Sequence, residues 1–339
     1  MKIVSEPGFK ADGAAFFMPS GTGPCRFGQY NMLHRLVLDE LGFPDVPIYA
    51  PNQDEGLYED LGIVGSEFVR SAWDGIVSTD LLIKCLHETR PYEKNPGQTD
   101  EVYNEFLKRV SKTVEDGSPV APVLRRMREA FSAIPRTGER RPLIGMVGEI
   151  YVRSHTFSNE DLIVKIERLG GEVWLAPFGE WIFYQNHTNI DTAKKKGRLK
   201  EYLSCKTTHF FQKKMEKDYT RIFEGFLKTA HEPEIKETLA LALPYLRETF
   251  QGEAILSMGK SVDFTRRGVS GVVNAMPFNC MPGTIVTALL KKFSEDFDGF
   301  PYISMQYDGN QQANSMTRLE AFVYQAKHRM EDGDLVGSR

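Results

Sequence analysis

Residues 142–181, PLIGMVGEIYVRSHTFSNEDLIVKIERLGGEVWLAPFGEW, decide the fold class. The apolar run 143–147 predicts a buried strand, and residues 148–157 are predicted to form the loop that follows it. Asn159 is a typical N-cap for a helix that carries apolar residues at helical spacing and ends at a pair of glycines. A second apolar strand is predicted over 173–176. Strand, helix and strand in this order form a βαβ unit, which indicates a parallel sheet.

Two further stretches repeat a strand–turn–helix pattern, and each has a cysteine in its turn. The first, AFFMPSGTGPCRFGQYNMLHRLVLDELG (15–42), runs from an apolar strand through a Gly- and Pro-rich turn with Cys25 into an amphipathic helix. The second, GVVNAMPFNCMPGTIVTALLKKF (271–293), has the same order, with Cys280 in its turn. Because open α/β sheets bind ligands beyond the carboxyl ends of their strands, both cysteines are expected at ligand-binding positions.

The polar stretch PRTGERRP (135–142) is the predicted domain boundary, because it is punctuated by proline and glycine. Residues 1–136 are expected to form an N-terminal α/β domain with a helical extension. Residues 137–339 are expected to form a second α/β domain with a helical insertion at about 187–250. The predicted fold class is therefore α/β, with two parallel-sheet domains.

Charge and hydropathy exclude several classes of partner. The chain of 339 residues has a net charge of −4 and a pI near 6.0, whereas nucleic acids and anionic membranes usually require a basic protein surface. No apolar run approaches the roughly 20 residues of a membrane span. The first residues, MKIVSEPGFKADG, lack the apolar segment of a signal peptide. We therefore expect a cytoplasmic protein with neither a nucleic-acid nor a membrane partner.

The four cysteines, at 25, 85, 205 and 280, are widely spaced and form no CxxC pair. Disulfides are not expected in the reducing cytosol, and this spacing does not indicate a structural zinc site. Three interpretations remain open: free thiols in a core, a nucleophile, or a cluster whose ligands come from distant segments. On spacing alone, core thiols are the commoner outcome.

Cys25 and Cys280 have the surroundings that favour a thiolate. Each precedes a predicted helix, whose N-terminal dipole stabilises negative charge, and Arg26 adds a positive charge beside Cys25. The alternative is a purely structural or phosphate-binding loop. Cys85 is expected in the last turn of a helix that ends at RPYE, where it belongs equally well to an apolar stripe. Cys205 is interpreted as a bystander.

Few other side chains stand out as candidate site residues. Glu149 and Arg153 follow a predicted strand and are expected to point into the cleft, where they fix a substrate or orient a cluster loop. An interdomain ion pair is the equal alternative. No HExxH, G-x-S-x-G, P-loop or dinucleotide fingerprint is present. Histidines on predicted helices are interpreted as surface or packing residues (His34, His87, His209 and His231).

Several sequence blocks, in a fixed order, resemble one known family. They are GPCRFGQY, RPYE, RPLIGMVGEIYVR with ERLGGEVWLAPFGEW, and NAMPFNCMPGT with FPYISMQYDGNQQANSMTRLEAF, and they extend over residues 16–322. These blocks resemble the 2-hydroxyacyl-CoA dehydratase / benzoyl-CoA reductase subunit family, in the branch of the large CoA-substrate-specific activase-related proteins.

The resemblance implies flavodoxin- or Rossmann-like α/β domains with helical additions. It also implies an oxygen-sensitive [4Fe–4S] cluster, or a larger double-cubane type, in a cleft between domains. Cys280 resembles the family's C-terminal ligand and Cys25 an N-terminal one, and Cys85 is assigned as the third. The family further implies an ATP-hydrolysing activase that donates low-potential electrons, and assembly as a homo- or hetero-oligomer.

Three functions follow as alternatives. The first is an iron–sulfur protein that acts on acyl-CoA-type substrates as a reductase or dehydratase subunit, with catalytic residues unassigned. The second is a cluster-binding electron-transfer or accessory subunit without substrate chemistry. The third is a cluster-free α/β binding or scaffold protein, in which the cysteines are merely buried.

Overall fold

The protein is an α/β protein in which both sheets are purely parallel. The computed structural model describes residues 6–21, 25–52, 66–250, 252–308 and 314–337. Helices account for 61% of the structure, and the sheets have two and four strands. The α/β fold class with helical insertions is therefore confirmed.

The chain divides into two compact units, Met1–Arg70 and Ser71–Arg339. This division differs from the boundary predicted after residue 136. The helices that precede residue 136 share one apolar core with the four-stranded sheet that follows it, with Phe106 and Leu124 on one side of that position and Trp174 on the other. Packing across the Pro/Gly-rich stretch is therefore continuous.

The first unit contains a short parallel pair, β1 (Phe16–Phe17) and β2 (Ile48–Tyr49), and helix α1 (Tyr30–Glu40). Each of the two strands is only two residues long. Prolines flank β2 on both sides and have no N–H to donate to a ladder, which limits its length. A small core of Leu38 and Val46 lies beneath α1.

The second unit contains eleven of the helices in the described part of the chain and the four-stranded sheet. The strands are β3 (Leu143–Gly148), β4 (Glu172–Leu175), β5 (Gly271–Pro277) and β6 (Tyr302–Tyr307). The helices are α2 (Ser66–Thr89), which begins just before the unit boundary, α3 (Gln98–Glu115), α4 (Ala121–Ser132), α5 (Ile150–Ser154), α6 (Leu162–Arg168), α7 (Gly179–Lys195), α8 (Leu199–Thr220), α9 (Ile235–Ala242), α10 (Glu253–Arg266), α11 (Met281–Asp296) and α12 (Ser315–Gly337).

The four strands are ordered β4-β3-β5-β6. The register pairs Ile144 of β3 with Val173 of β4 on one side and with Gly271 of β5 on the other. The chain therefore adds β4 on one side of β3 and then returns to add β5 and β6 on the other. The strand order reverses between β3 and β5, and this reversal creates a crevice at the carboxyl edge of the sheet.

Apolar side chains alternate between the two faces of this sheet, because successive strand residues point in opposite directions. Ile144 and Met146 of β3 face a core shared with α6 and α12, whereas Val147 faces the larger core. Within that larger core α10 is buried on all sides, from Ala254 to Phe264. Gly259 permits this, because a Cβ there would lie 2.1 Å from the backbone oxygen of Thr238.

The βαβ prediction is confirmed in its strands and needs correction in its loop. The predicted loop 148–157 contains the short helix α5, whose N-terminus is capped by the carboxylate of Glu149. The N-cap of α6 is Asp161, with φ +56°, and not the predicted Asn159, although Asn159 Oδ1 accepts a hydrogen bond from the N–H of Leu162 at 3.2 Å. The helical insertion between β4 and β5 begins at Gly179 and is longer than the predicted 187–250.

The described helices include none that is both long and apolar enough to cross a membrane. The last helix, α12, continues to Gly337. It follows β6 and begins at Ser315.

Candidate functional site

The crevice lies where the strands β3 and β5 approach each other closely at their carboxyl ends. The N–H of Glu149 donates to the backbone oxygen of Ala275 at 2.9 Å. Gly148 has φ +122°, and a Cβ at this position would lie 2.0 Å from the same oxygen. Only glycine combines this φ with this approach, so Gly148 fixes the floor of the crevice.

Cys280 lies at the carboxyl end of β5, at the rim of this crevice. It is the N-cap residue of α11, with φ −60° and ψ 120°, and its side chain is half-buried. Its N–H donates to the backbone oxygen of Pro277 at 3.0 Å, and Thr284 Oγ1 donates to its carbonyl oxygen at 2.8 Å. The local strand–turn–helix geometry therefore agrees with the sequence prediction.

Cys25 has a similar local position in the first unit. It is the N-cap residue of a single 3₁₀ turn, Arg26–Gln29, that leads into α1, and its φ and ψ are −68° and 137°. Cys25 and the neighbouring Arg26 are both exposed. Gly28 is required in this turn, because a Cβ would lie 2.2 Å from the backbone oxygen of Gly21.

Cys85 lies in a different environment from the other two candidate ligands. Its side chain on α2 is 0% exposed and belongs to the larger apolar core. Burial, together with the nearby Glu88, raises the pKa of this thiol well above its usual value. Such surroundings suit a neutral thiol better than a metal-bound thiolate. Cys205 is partly exposed on α8.

The described residues contain no group of three or more histidine, cysteine, aspartate or glutamate side chains placed to hold a metal ion. Cys25 and Cys280 each fit a thiolate ligand locally, and Cys85 does not. The three-cysteine ligand set implied by the family resemblance stays a prediction.

Glu149 and Arg153 stabilise the backbone at the carboxyl edge of the sheet. The Glu149 carboxylate accepts hydrogen bonds from Tyr151 N at 3.2 Å and Val152 N at 2.7 Å. Arg153 is buried and donates to the carbonyl oxygens of Gly148 at 3.1 Å and Pro177 at 3.3 Å. It therefore links the ends of β3 and β4.

Arg153 also provides positive charge within a set of half-buried carboxylates. Burial lowers the pKa of its guanidinium, and Glu180, Glu253, Glu149 and Asp80 oppose this effect. Burial raises the pKa of Glu253 to about 7, with a further contribution from Glu149. This concentration of acidic groups around one arginine resembles the perturbed charges found at functional sites.

A second group of buried charges joins α2, α10 and the segment just before α9, and the sequence did not predict it. Glu232 accepts hydrogen bonds from both Lys84 and Lys260, and Lys260 also contacts Asp263 at 3.1 Å. Burial alone would raise the pKa of Glu232, but the two lysines outweigh it and lower the pKa to about 2. Trp174 Nε1 donates to the same carboxylate at 3.3 Å.

A sequence signal for this group exists in α10. Lys260 and Asp263 lie within a helix whose other central residues are apolar or small, so their side chains had to be paired inside the core. The partners Lys84 and Glu232 lie in other segments, and no local pattern connects them to α10.

Two cavities adjoin these charges, and both lie within the second unit. The larger, of about 560 Å³, lies between α2 and the carboxyl end of β4 and is lined mainly by apolar side chains. The smaller, of about 70 Å³, is lined by several ionisable side chains, among them Glu180, His209 and Glu216. Asp80 and Lys84 line both cavities.

His87 and His209 line these cavities, although the sequence suggested surface or packing positions for both. Burial, with a contribution from Arg90, lowers the pKa of His87 to about 3. Burial also lowers the pKa of His209, with smaller effects from nearby cationic groups.

Comparisons with protein-family models, with curated proteins and with solved structures gave no match for this chain. The structure itself describes a parallel α/β protein in which a cysteine and two cavities lie at the carboxyl side of the main sheet. The family resemblance remains an inference from sequence.

Proposed function

We propose that this chain is an iron–sulfur-cluster protein of the type that its sequence resembles, an ATP-dependent low-potential reductase or dehydratase subunit for acyl-CoA-type substrates. The observation that carries the proposal is the position of Cys280. It follows β5 at the edge where the strand order reverses, which is the position at which open α/β sheets bind ligands.

The chain's own residues support thiolate chemistry at this position. Cys280 caps α11, a helix of 16 residues, so the positive end of the helix dipole favours a deprotonated sulfur. Cys25 is the second proposed ligand and has a comparable N-cap geometry. A [4Fe–4S] or double-cubane cluster takes more than two cysteines, so further ligands come from Cys85 or from another subunit of an oligomer.

The remaining parts of the proposal concern the surroundings of the site. A bound cluster would supply single-electron transfer and a Lewis-acid position for the substrate. Glu149 and Arg153 hold the loops at the crevice in place through their backbone hydrogen bonds. The proposed electron donor is an ATP-hydrolysing activase, and the proposed location is the cytoplasm.

A second candidate is the cluster-free α/β binding protein, and the burial of Cys85 favours it. A core thiol with a raised pKa cannot supply the third thiolate without local rearrangement. An accessory or electron-transfer subunit without substrate chemistry is intermediate between the two, because it needs the cluster but no substrate site.

The test is the iron and acid-labile sulfide content of protein purified and reconstituted without oxygen. Wild type should bind about four of each per cluster. Cys25→Ser and Cys280→Ser should lose both, whereas Cys205→Ser, the matched control outside the proposed site, should retain them.

Cys85→Ala separates the proposed ligand sets. Loss of iron in this variant, with the fold intact by circular dichroism, would establish Cys85 as a ligand. Retention would place the third ligand elsewhere. Wild-type protein without iron after reconstitution would refute the cluster and leave the binding-protein alternative.

A further inference from the structure

The cavity of about 560 Å³ has the size and lining of a small-molecule site. It lies between α2 and the carboxyl end of β4, and α5 and one residue of α3 complete its wall. Its apolar lining includes six large side chains (Ile76, Ile83, Val114, Ile150, Trp174 and Leu175).

The charged side chains that line this cavity already have partners in the protein. The Asp80 carboxylate accepts hydrogen bonds from Phe178 N at 3.0 Å and Gly179 N at 2.8 Å, at the start of α7. Lys84 is paired with Glu232. The positive charge of Lys84 is therefore neutralised within the protein, whereas the Asp80 carboxylate receives hydrogen bonds from neutral donors.

The third charged group, Glu88, is engaged in the same way. Its carboxylate accepts hydrogen bonds from Lys228 N at 2.8 Å, and from Thr229 N at 2.9 Å and Thr229 Oγ1 at 2.5 Å. An anionic ligand would lose its hydration in this cavity and face the carboxylates of Asp80 and Glu88 without gaining a free counter-charge, which is strongly unfavourable.

His87 offers a polar ring on the cavity wall. The imidazole of His87 is 6% exposed, lines the cavity, and makes no hydrogen bond with another residue in the described part of the chain. Buried polar groups normally have a hydrogen-bond partner, so a ligand that offers one completes this site.

We propose that the cavity binds a largely apolar small molecule that is not an anion and that carries a hydrogen-bonding group, a hydroxyl or a carbonyl, opposite His87. The ligand class follows from the apolar wall, the lining carboxylates and the imidazole of His87. It does not depend on the presence of an iron–sulfur cluster.

The test uses three probes of one shape: 1-naphthol, naphthalene and the 1-naphthoate anion. Binding to the full-length chain is followed by calorimetry and by quenching of tryptophan fluorescence, since Trp174 lines the cavity. We expect 1-naphthol to bind at least about tenfold more tightly than 1-naphthoate, because the anion loses hydration without compensation. Equal or tighter binding of the anion would overturn the proposal, as would an absence of 1-naphthol binding.

Two variants locate the bound probe. Gly75 lines the cavity, and an added Cβ there meets only Val114, at 3.8 Å, so Gly75→Leu projects into the cavity and should weaken 1-naphthol binding. Gly138→Leu is the matched control, since Gly138 is exposed and nothing lies within 4 Å of an added Cβ. Unchanged 1-naphthol binding in a folded Gly75→Leu would place the probe elsewhere and contradict the proposal.

His87→Phe tests the hydrogen bond with little change in volume, and it decides the question if Gly75→Leu does not fold. The variant should weaken 1-naphthol binding by about fivefold, the effect of one neutral hydrogen bond, and should leave naphthalene binding unchanged. An equal loss for both probes, or no loss for either, would exclude the proposed contact.

Discussion

Replacement of Glu216 by glutamine should reduce the dependence of stability on pH. Glu216 lines the smaller cavity on α8, and burial raises the pKa of its carboxyl group from 4.5 to about 7, although Lys84 opposes the change. Between these two values the unfolded chain releases a proton that the folded protein keeps. The contribution of Glu216 to the free energy of unfolding therefore falls by about 3 kcal/mol as the pH rises from about 4 to about 8.

Urea denaturation of wild type and Glu216→Gln at about pH 5 and about pH 8 measures this effect. The variant lacks the ionisation, so its stability relative to wild type should increase with pH. Glu201→Gln is the matched control, because Glu201 is an exposed carboxylate on the same helix. If Glu216→Gln and wild type lose equal stability over this range, the carboxyl of Glu216 is not desolvated in the way the structure indicates.

Two further substitutions test the core. Gly259→Ala should destabilise the protein by about 1–3 kcal/mol, because its Cβ would overlap the backbone of Thr238. Gly75→Ala meets only ordinary van der Waals contact and should stabilise α2 by about 0.5–1 kcal/mol. Equal effects of the two substitutions in thermal unfolding would contradict the close approach of α9 and α10. Lys260→Met should lower the free energy of unfolding by about 3–5 kcal/mol in denaturant titrations, because it removes one of the two lysines that neutralise the buried Glu232. An unchanged free energy of unfolding would mean that the Glu232 carboxylate is hydrated or protonated in the folded protein.

The elements that sequence predicted well are those whose signal is local. The strands on either side of α6 read as apolar runs, and a pair of glycines ends the helix between them. The short α5 was missed because five residues give no helical periodicity, and its capping carboxylate, Glu149, follows the strand directly.

The candidate site was predictable in the same local sense. The turn with Cys280 could be placed at the carboxyl end of a strand from its own sequence, and the structure shows it there. The pairing of Lys84 with Glu232, 148 residues apart, could not be predicted, because only the packing of the helical insertion brings the two segments together. The same packing explains why the boundary predicted after residue 136 differs from the compact units.

The position of β5 has a consequence for how the chain folds. β5 pairs directly with β3, so Ile144 and Gly271 must meet although all of α5 to α10 lies between them. Pairings between such distant residues form slowly, because the loss of chain entropy precedes the gain from contacts. During synthesis β3 and β4 therefore emerge while the edge of β3 that will pair with β5 is still unpaired. Until β5 is made, protection of this edge from pairing with other chains requires rapid folding of the helical insertion or a chaperone.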